Sequence, residues 1–261
     1  MKRIISVLLM SILLMGVLAA CGSGENKTEE GTSNNKEAKV LKMGTSADYA
    51  PFEYIDTAKG EEPTGIDIEL AKTITEKLGY ELEIQDMDFG GLISSLQNGQ
   101  VDFVASAMSA TEERKKSVDF SDIYYTSKHI VVSKKGSGLQ TVEDLNGKTV
   151  GAQLGSIQET KAKELAKTID LKVDSRNRIP ELIQEIKAGR MDAAIIEDTV
   201  AAGYLSENPD VEGFTIEDAD GGYALAFPKG SELTKEFNKE LKALSDSGEL
   251  DKIIKKYFDT K

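Results

Sequence analysis

Arg114 closes the run Ser109-Ala-Thr-Glu-Glu-Arg114, and the same Ser-x-x-Glu spacing returns at Ser156-Ile-Gln-Glu159 in the other half of the chain. Serine followed by glutamate at this interval predicts a capping box, which closes part of a helix's first turn and leaves other backbone N–H groups pointing outward. Such a helix end carries about half a positive charge, and an arginine within a turn or two could grip a carboxylate through two parallel bonds. The chemistry on offer is anion binding. The spacing alone leaves a plainer reading open, in which both are simple caps and Arg114 a solvated cation. Catalytic groups are sparse. His129 is the only histidine and Cys21 the only cysteine, so a Ser–His–Asp triad would have to use His129, and no Gly-x-Ser-x-Gly elbow is present. Metal loops and His/Cys ligand sets are missing. Gly151-Ala-Gln-Leu-Gly155-Ser156 lacks the Lys-Ser/Thr ending of a phosphate loop and the third glycine of a dinucleotide loop. Neither a metal nor a cofactor is expected.

The elements that must position these residues belong to a chain of 261 residues with 45 acidic and 32 basic side chains, a formal net charge of -13. The surplus of acid argues against nucleic acid as partner, since phosphate binding needs clustered Lys and Arg, and suits a cationic or zwitterionic ligand better. A hydrophobic fraction of 39% is ample for a packed core, in one large domain or two modest ones.

The start of the chain reads as an address. Lys2 and Arg3 precede an apolar run from Ile4 to Leu18, and small residues lead to Cys21. Leu18-Ala19-Ala20-Cys21 resembles the bacterial lipobox, which implies cleavage after residue 20 and acylation of Cys21; the alternative is an ordinary cleaved signal with an incidental cysteine. The run is short for a bilayer span, which needs ~20 residues. Residues 21–38 are almost wholly polar and are expected to form a disordered tether with a reach of roughly 20–25 Å.

From Val40 onward, short apolar runs alternate with amphipathic helices, predicting an α/β architecture with largely parallel strands. Val40–Gly44 reads as a strand, Ile66–Leu78 as a helix ending at Gly79, Tyr80–Ile84 as a strand, and Leu92–Leu96 as a helix followed by the strand Val101–Ala105. The second half opens with a strand at Lys148–Gly151 and a helix from Ile157 to about Lys167. Leu182-Ile183, Gly189 and Asp192 echo Leu92-Ile93, Gly99 and Asp102 at an offset of 90 residues. That echo fits either coincidence or two lobes of similar helix-glycine-strand build. Two helical stripes end the chain, at Leu233, Phe237, Leu241 and Leu244, and at Leu250, Ile253, Ile254 and Tyr257. Two lobes on one chain make a cleft, and clefts between domains are favoured ligand sites.

The series Gly44-Thr-Ser-Ala-Asp-Tyr-Ala-Pro-Phe52, Gly65-Ile-Asp-Ile-Glu-Leu70, Asp88-Phe89, Ser109 to Arg114, Asp119-Phe-Ser-Asp122 and Gly155-Ser-Ile-Gln158 resembles the polar amino acid substrate-binding proteins of ABC importers. It is most similar to the arginine-binding lipoproteins of Gram-positive bacteria, from about residue 40 to the end. The resemblance implies a two-lobed type II periplasmic-binding-protein fold with a central cleft. Lobe 1 would comprise residues 39–126 and 224–261 and lobe 2 residues 127–223, with crossings near Thr126 to Val131 and Gly222 to Phe227.

The same resemblance implies that Arg114 takes the ligand α-carboxylate with N–H groups near Ser109 and Ile157, and that Asp198 takes the α-ammonium. It implies that Tyr49 and Phe89 sandwich the side chain, that Ser106, Ala107 and Ser109 line the first lobe, and that Ser156 and Gln158 belong to the second. Flat guanidinium groups gain from such stacking. Proteins for basic amino acids often carry an acid where this chain has Ser46. Glu53 is the first candidate to neutralise a cationic side chain, with Asp48, Asp88 and Glu197 behind it; Glu53 could equally be a scaffold residue. The expected function is a monomeric receptor, lipid-anchored outside the membrane, that closes around one L-amino acid, arginine favoured, and hands it to a permease driven by an ATPase. No catalysis is expected. The alternatives are a receptor for glutamine, cystine or another polar amino acid, a dehydratase-like enzyme, and a sensor domain.

Overall fold

The computed structural model describes residues 39–58, 60–219 and 222–258. The expected signal segment 1–20, the tether 21–38 and Cys21 lie outside the described residues. The first stretch of the body contains β1 (Val40–Thr45), β2 (Asp48–Tyr49), β3 (Glu53–Ile55), β4 (Pro63–Thr64), α1 (Ile66–Leu78), β5 (Glu81–Asp86), α2 (Leu92–Gln97), β6 (Phe103–Val104), α3 (Glu112–Lys115) and β7 (Val118–Phe120). Then follow β8 (Lys128–Lys134), β9 (Lys148–Gly151), α4 (Ile157–Leu165), β10 (Leu171–Val173), α5 (Ile179–Lys187), β11 (Ala193–Glu197), α6 (Asp198–Glu207) and β12 (Val211–Ala219). The chain finishes with β13 (Ala226–Pro228), α7 (Leu233–Asp246) and α8 (Glu249–Phe258).

Two five-stranded sheets form, in the orders β5-β1-β6-β13-β7 and β10-β9-β11-β8-β12, beside a small β2-β3-β4 sheet. The two orders share one plan. A central strand, β1 or β9, lies parallel to a strand on each side, and the strand beyond runs antiparallel. The 90-residue echo in the sequence is this plan. Gly99 and Gly189 both adopt left-handed backbone, φ 68° and 71°, which a side chain would strain. Asp102 and Asp192 then do the same work: each carboxylate accepts from the central strand, at Lys42 N and Thr149 N, both 2.8 Å.

The chain leaves the first sheet after β7, enters the second at β8, and returns between β12 and β13. The two crossings bond to one another, with Tyr124 N donating to Tyr223 O at 2.9 Å and Tyr223 N to Tyr125 O at 2.8 Å. Phe52 packs edge-on against both Tyr125 and Tyr223 there. The apolar stripe of α1, including Leu70, Ala71 and Ile74, is fully buried, each large side chain being worth about 1.5–3 kcal/mol. Phe103, Phe227 and Phe237 close the first core, while Val131, Val150 and Ile195 belong to a second cluster. Among the described residues no helix is long and apolar enough to cross a membrane.

Candidate functional site

The turns that follow β1, β5 and β6 face the turn after β9 and the start of α4, so the carboxyl ends of parallel strands from both sheets converge, where open α/β sheets place ligands. A narrow cavity lies between them. Its wall includes Tyr49, Glu53, Phe89, Ser106, Ala107, Ser109, Arg114, Ser156, Ile157 and Gln158, ten of the residues expected from sequence, together with Ser46, Gln153 and Tyr223.

Arg114 is buried, its Nη1 donating to Ser109 O at 2.8 Å and its Nη2 to Gly155 O at 3.0 Å, with the guanidinium carbon 5.4 Å from the Phe89 ring centre. It thus spans the cleft. The helix carrying it starts two residues later than the capping-box pattern predicted: Thr111, not Ser109, is the cap, and its Oγ1 accepts from Arg114 N. Ser109 is released to pair with Tyr223 across the crossing. At α4 the expected cap holds, since Ser156 Oγ accepts from Glu159 N at 3.1 Å, but the Glu159 carboxylate reaches back to Gly155 N rather than Ser156 N. Gly155 is a place where only glycine fits. It has φ +78°, and a Cβ there would sit 2.9 Å from Gly90 Cα on the other side of the cleft.

Buried carboxylates form the opposite character of the site. Glu53 Oε1 accepts from Ser106 Oγ at 3.1 Å, while Oε2 is buried without a hydrogen-bond partner. Burial, then the charges of Asp67, Asp48 and Glu197, hold the Glu53 carboxyl well above its ordinary range. Glu197, the last residue of β11, caps α6 through Oε2 to Val200 N at 2.7 Å, and its Oε1 is likewise unpartnered. Burial pushes its pKa up to about 8. Asp67 was not among the residues expected to matter. Its carboxylate accepts from Ala107 N and Tyr124 Oη, each at 2.7 Å, and burial raises its pKa to about 7. That bond holds Ala107 in the wall with φ 42°, a left-handed conformation unusual outside glycine.

Asp198 does not join this cavity. It follows Glu197 as the first residue of α6, and neither of these two acids is part of the cavity wall. The Asp198 carboxylate instead accepts from Lys128 N and Thr199 N, and it lines a separate hollow with Pro51, Thr199, Ala202, Tyr257 and Phe258. Asp48 and Asp88, the other acids considered, are also engaged elsewhere: Asp48 Oδ2 accepts from Ile179 N at 2.7 Å, and Asp88 accepts from Asn177 and Arg178. Gln153 was missed because nothing in its local spacing marks it; its Nε2 donates to Asn177 O at 3.1 Å and fixes the far wall.

The arrangement pairs a fixed guanidinium with one buried carboxylate, Glu53, that has an unpartnered oxygen, beside aromatic rings. That combination is complementary to a small molecule carrying one anionic and one or two cationic groups. Among the described residues no cluster of His, Cys, Asp and Glu suits a metal ion.

A family model for bacterial extracellular solute-binding proteins, family 3, matches residues 41–260. The chain is 54% identical over 255 residues to the arginine-binding extracellular protein ArtP of Bacillus subtilis (strain 168), spanning 97% of this chain and 96% of that protein. Among solved structures, the amino acid ABC transporter substrate-binding protein AbpA of Streptococcus pneumoniae, bound to L-arginine, is similar with a TM-score of 0.79 and 41% identity over 84% of this chain and 94% of that one. An ancestral arginine-binding protein bound to arginine gives a TM-score of 0.80 and 41% identity, over 84% of this chain and 98% of that one.

Proposed function

Because the chain belongs to the bacterial extracellular solute-binding proteins of family 3, we propose that it is the substrate-binding component of an amino acid ABC importer, that its ligand is L-arginine or another basic amino acid, and that it performs no catalysis. One observation carries the ligand reading: the cavity sets Arg114 against Glu53, which has a buried oxygen lacking a partner. A buried unpaired acceptor is costly, and a ligand that donates to it recovers that loss on binding. Arg114 takes the α-carboxylate together with the backbone at Ser109 and the start of α4. Glu197 takes the α-ammonium in the role expected of Asp198. Glu53 meets the side-chain cation, which lies between the rings of Tyr49 and Phe89, while Ser106, Ala107, Ser156, Ile157 and Gln158 shape the wall. The lobes, residues 39–126 with 224–261 and residues 127–223, close about the paired crossings.

The reading extends to the anchor. Cys21 carries the acyl chains, residues 21–38 tether the body to the outer face of the membrane, and the permease and its ATPase receive the ligand from a monomer. Two acyl chains would hold it there without a spanning helix. Radiolabelled palmitate incorporated by the full-length chain and not by its Cys21→Ser variant tests this; equal labelling of both contradicts it.

A neutral polar ligand is the second reading, favoured by Glu53 itself. Burial raises the Glu53 pKa and so favours its neutral carboxyl form, a hydrogen-bonding group that suits an amide. Isothermal titration of the refolded protein with L-arginine, L-lysine and L-glutamine separates the two. Tighter binding of arginine supports the cationic ligand, and tighter binding of glutamine replaces it.

A further inference from the structure

Arg178 lies outside the cavity wall, at the residue before α5, and its side chain reaches across the cleft to the other sheet. Its Nε donates to Asp88 Oδ1 at 3.0 Å, its Nη1 to Asp86 Oδ1 at 3.0 Å and its Nη2 to Asp86 Oδ2 at 3.4 Å. Asp48 Oδ1 lies 3.6 Å from Nη1. The neighbours of Arg178 take part as well. Asn177 Nδ2 donates to Asp88 Oδ2 at 2.9 Å and Ile179 N to Asp48 Oδ2 at 2.7 Å. One short segment of the second sheet's side thus engages three carboxylates on two turns of the first. Both turns carry a wall aromatic next to the bonded acid, Tyr49 after Asp48 and Phe89 after Asp88, and on the other side the Asn177 carbonyl holds Gln153.

We propose that Arg178 is a positioning residue for binding: it latches the closed cleft through Asp48, Asp86 and Asp88, and so sets how slowly ligand leaves. Three carboxylates gathered within reach of one guanidinium repel one another when it withdraws, so the contact favours closure from both sides of the balance. The Arg178 side chain is largely buried, whereas Asp88 is half exposed, so salt screens part of the attraction. Through the two aromatics, latching also fixes the rings that face the ligand. The inference goes beyond the functional reading and uses it only to choose the probe.

The test compares the wild-type chain with Arg178→Met, which keeps the apolar stem, and Arg178→Lys, which keeps the charge without the fork. The expected result is that Arg178→Met releases L-arginine about tenfold faster, while association stays within about twofold. Its release rate also loses most of the salt dependence shown by the wild type, and Arg178→Lys falls between. A merely structural role for Arg178 would lower the unfolding midpoint and leave the salt dependence intact. Small-angle scattering of the ligand-free proteins is the second measurement, with a larger radius of gyration expected for Arg178→Met. Unchanged release rates with an unchanged radius overturn the latch. If the wild type does not bind L-arginine, the functional reading has failed instead, and the scattering comparison alone decides: a larger radius supports the latch and an equal one overturns it.

Discussion

Arg114 Nη2 and the carbonyl of Gly155 meet at 3.0 Å across the cleft. The guanidinium that faces the cavity is therefore also a strut between the two sheets, placed where a close glycine approach, Gly155 against Gly90, brings the lobes together. A ligand carboxylate at Arg114 would be sensed by both lobes at once.

Arg114→Lys should weaken amino acid binding by about a hundredfold, because an ammonium keeps the charge but can reproduce neither the paired bonds to Ser109 O and Gly155 O nor the stacking on Phe89. Titration calorimetry measures it. Binding within a few-fold of wild type would remove Arg114 from the carboxylate site.

Glu53→Gln should weaken L-arginine much more than L-glutamine, since the amide keeps the bond to Ser106 and loses only the charge. Equal losses for the two ligands would show Glu53 to be part of the scaffold.

Glu197→Gln should cost at least tenfold in affinity by removing the charge that meets the ammonium. Asp198→Asn should stay near wild type, because the Asp198 side chain faces the hollow beside Tyr257 and Phe258. The reverse ranking would return the ammonium to Asp198.

Stability should fall as pH rises in the ligand-free protein. Asp67 and Glu197 have native pKa values of about 7 and about 8, against ordinary values of 3.8 and 4.5. The native state therefore holds protons that the unfolded chain has already released. This contribution is complete below the unfolded values and is lost as pH climbs through the native ones. A cation bound beside Glu197 favours its charged form, so saturating ligand should flatten the decline. Thermal unfolding between about pH 5 and pH 8, with and without L-arginine, measures both. A ligand-free midpoint that rises across this range would contradict the account.

Much of this was legible in the sequence where a side-chain period or a glycine marks an element. The stripe of α1 announced Ile66–Leu78 with its observed bounds, and the Gly99/Gly189 and Asp102/Asp192 echo marked the shared plan of the two sheets. Strands β8 and β12 passed unread because their partners are distant in sequence: β8 sits between β11 and β12, and a run such as Lys128–Lys134 acquires strand character only from that pairing. In the site, the wall residues were recognisable by their motif positions, whereas the place of Asp198 outside the wall was not. Adjacent acids at a strand-to-helix junction are alike in sequence and differ only in which way the junction turns them. Asp67 and Arg178 escaped notice for a related reason, since their partners Ala107, Tyr124, Asp86 and Asp88 lie far along the chain.

The central claim, a receptor whose ligand joins a carboxylate to cationic groups, is tested most directly by thermal unfolding of the refolded protein against ornithine and each of the standard amino acids. A ligand at about a thousand times its dissociation constant stabilises the native state by ~4 kcal/mol. The account predicts a large rise in midpoint with L-arginine, smaller rises with lysine and ornithine, and little change with neutral amino acids. A rise confined to neutral amino acids, or none with any amino acid, would contradict it.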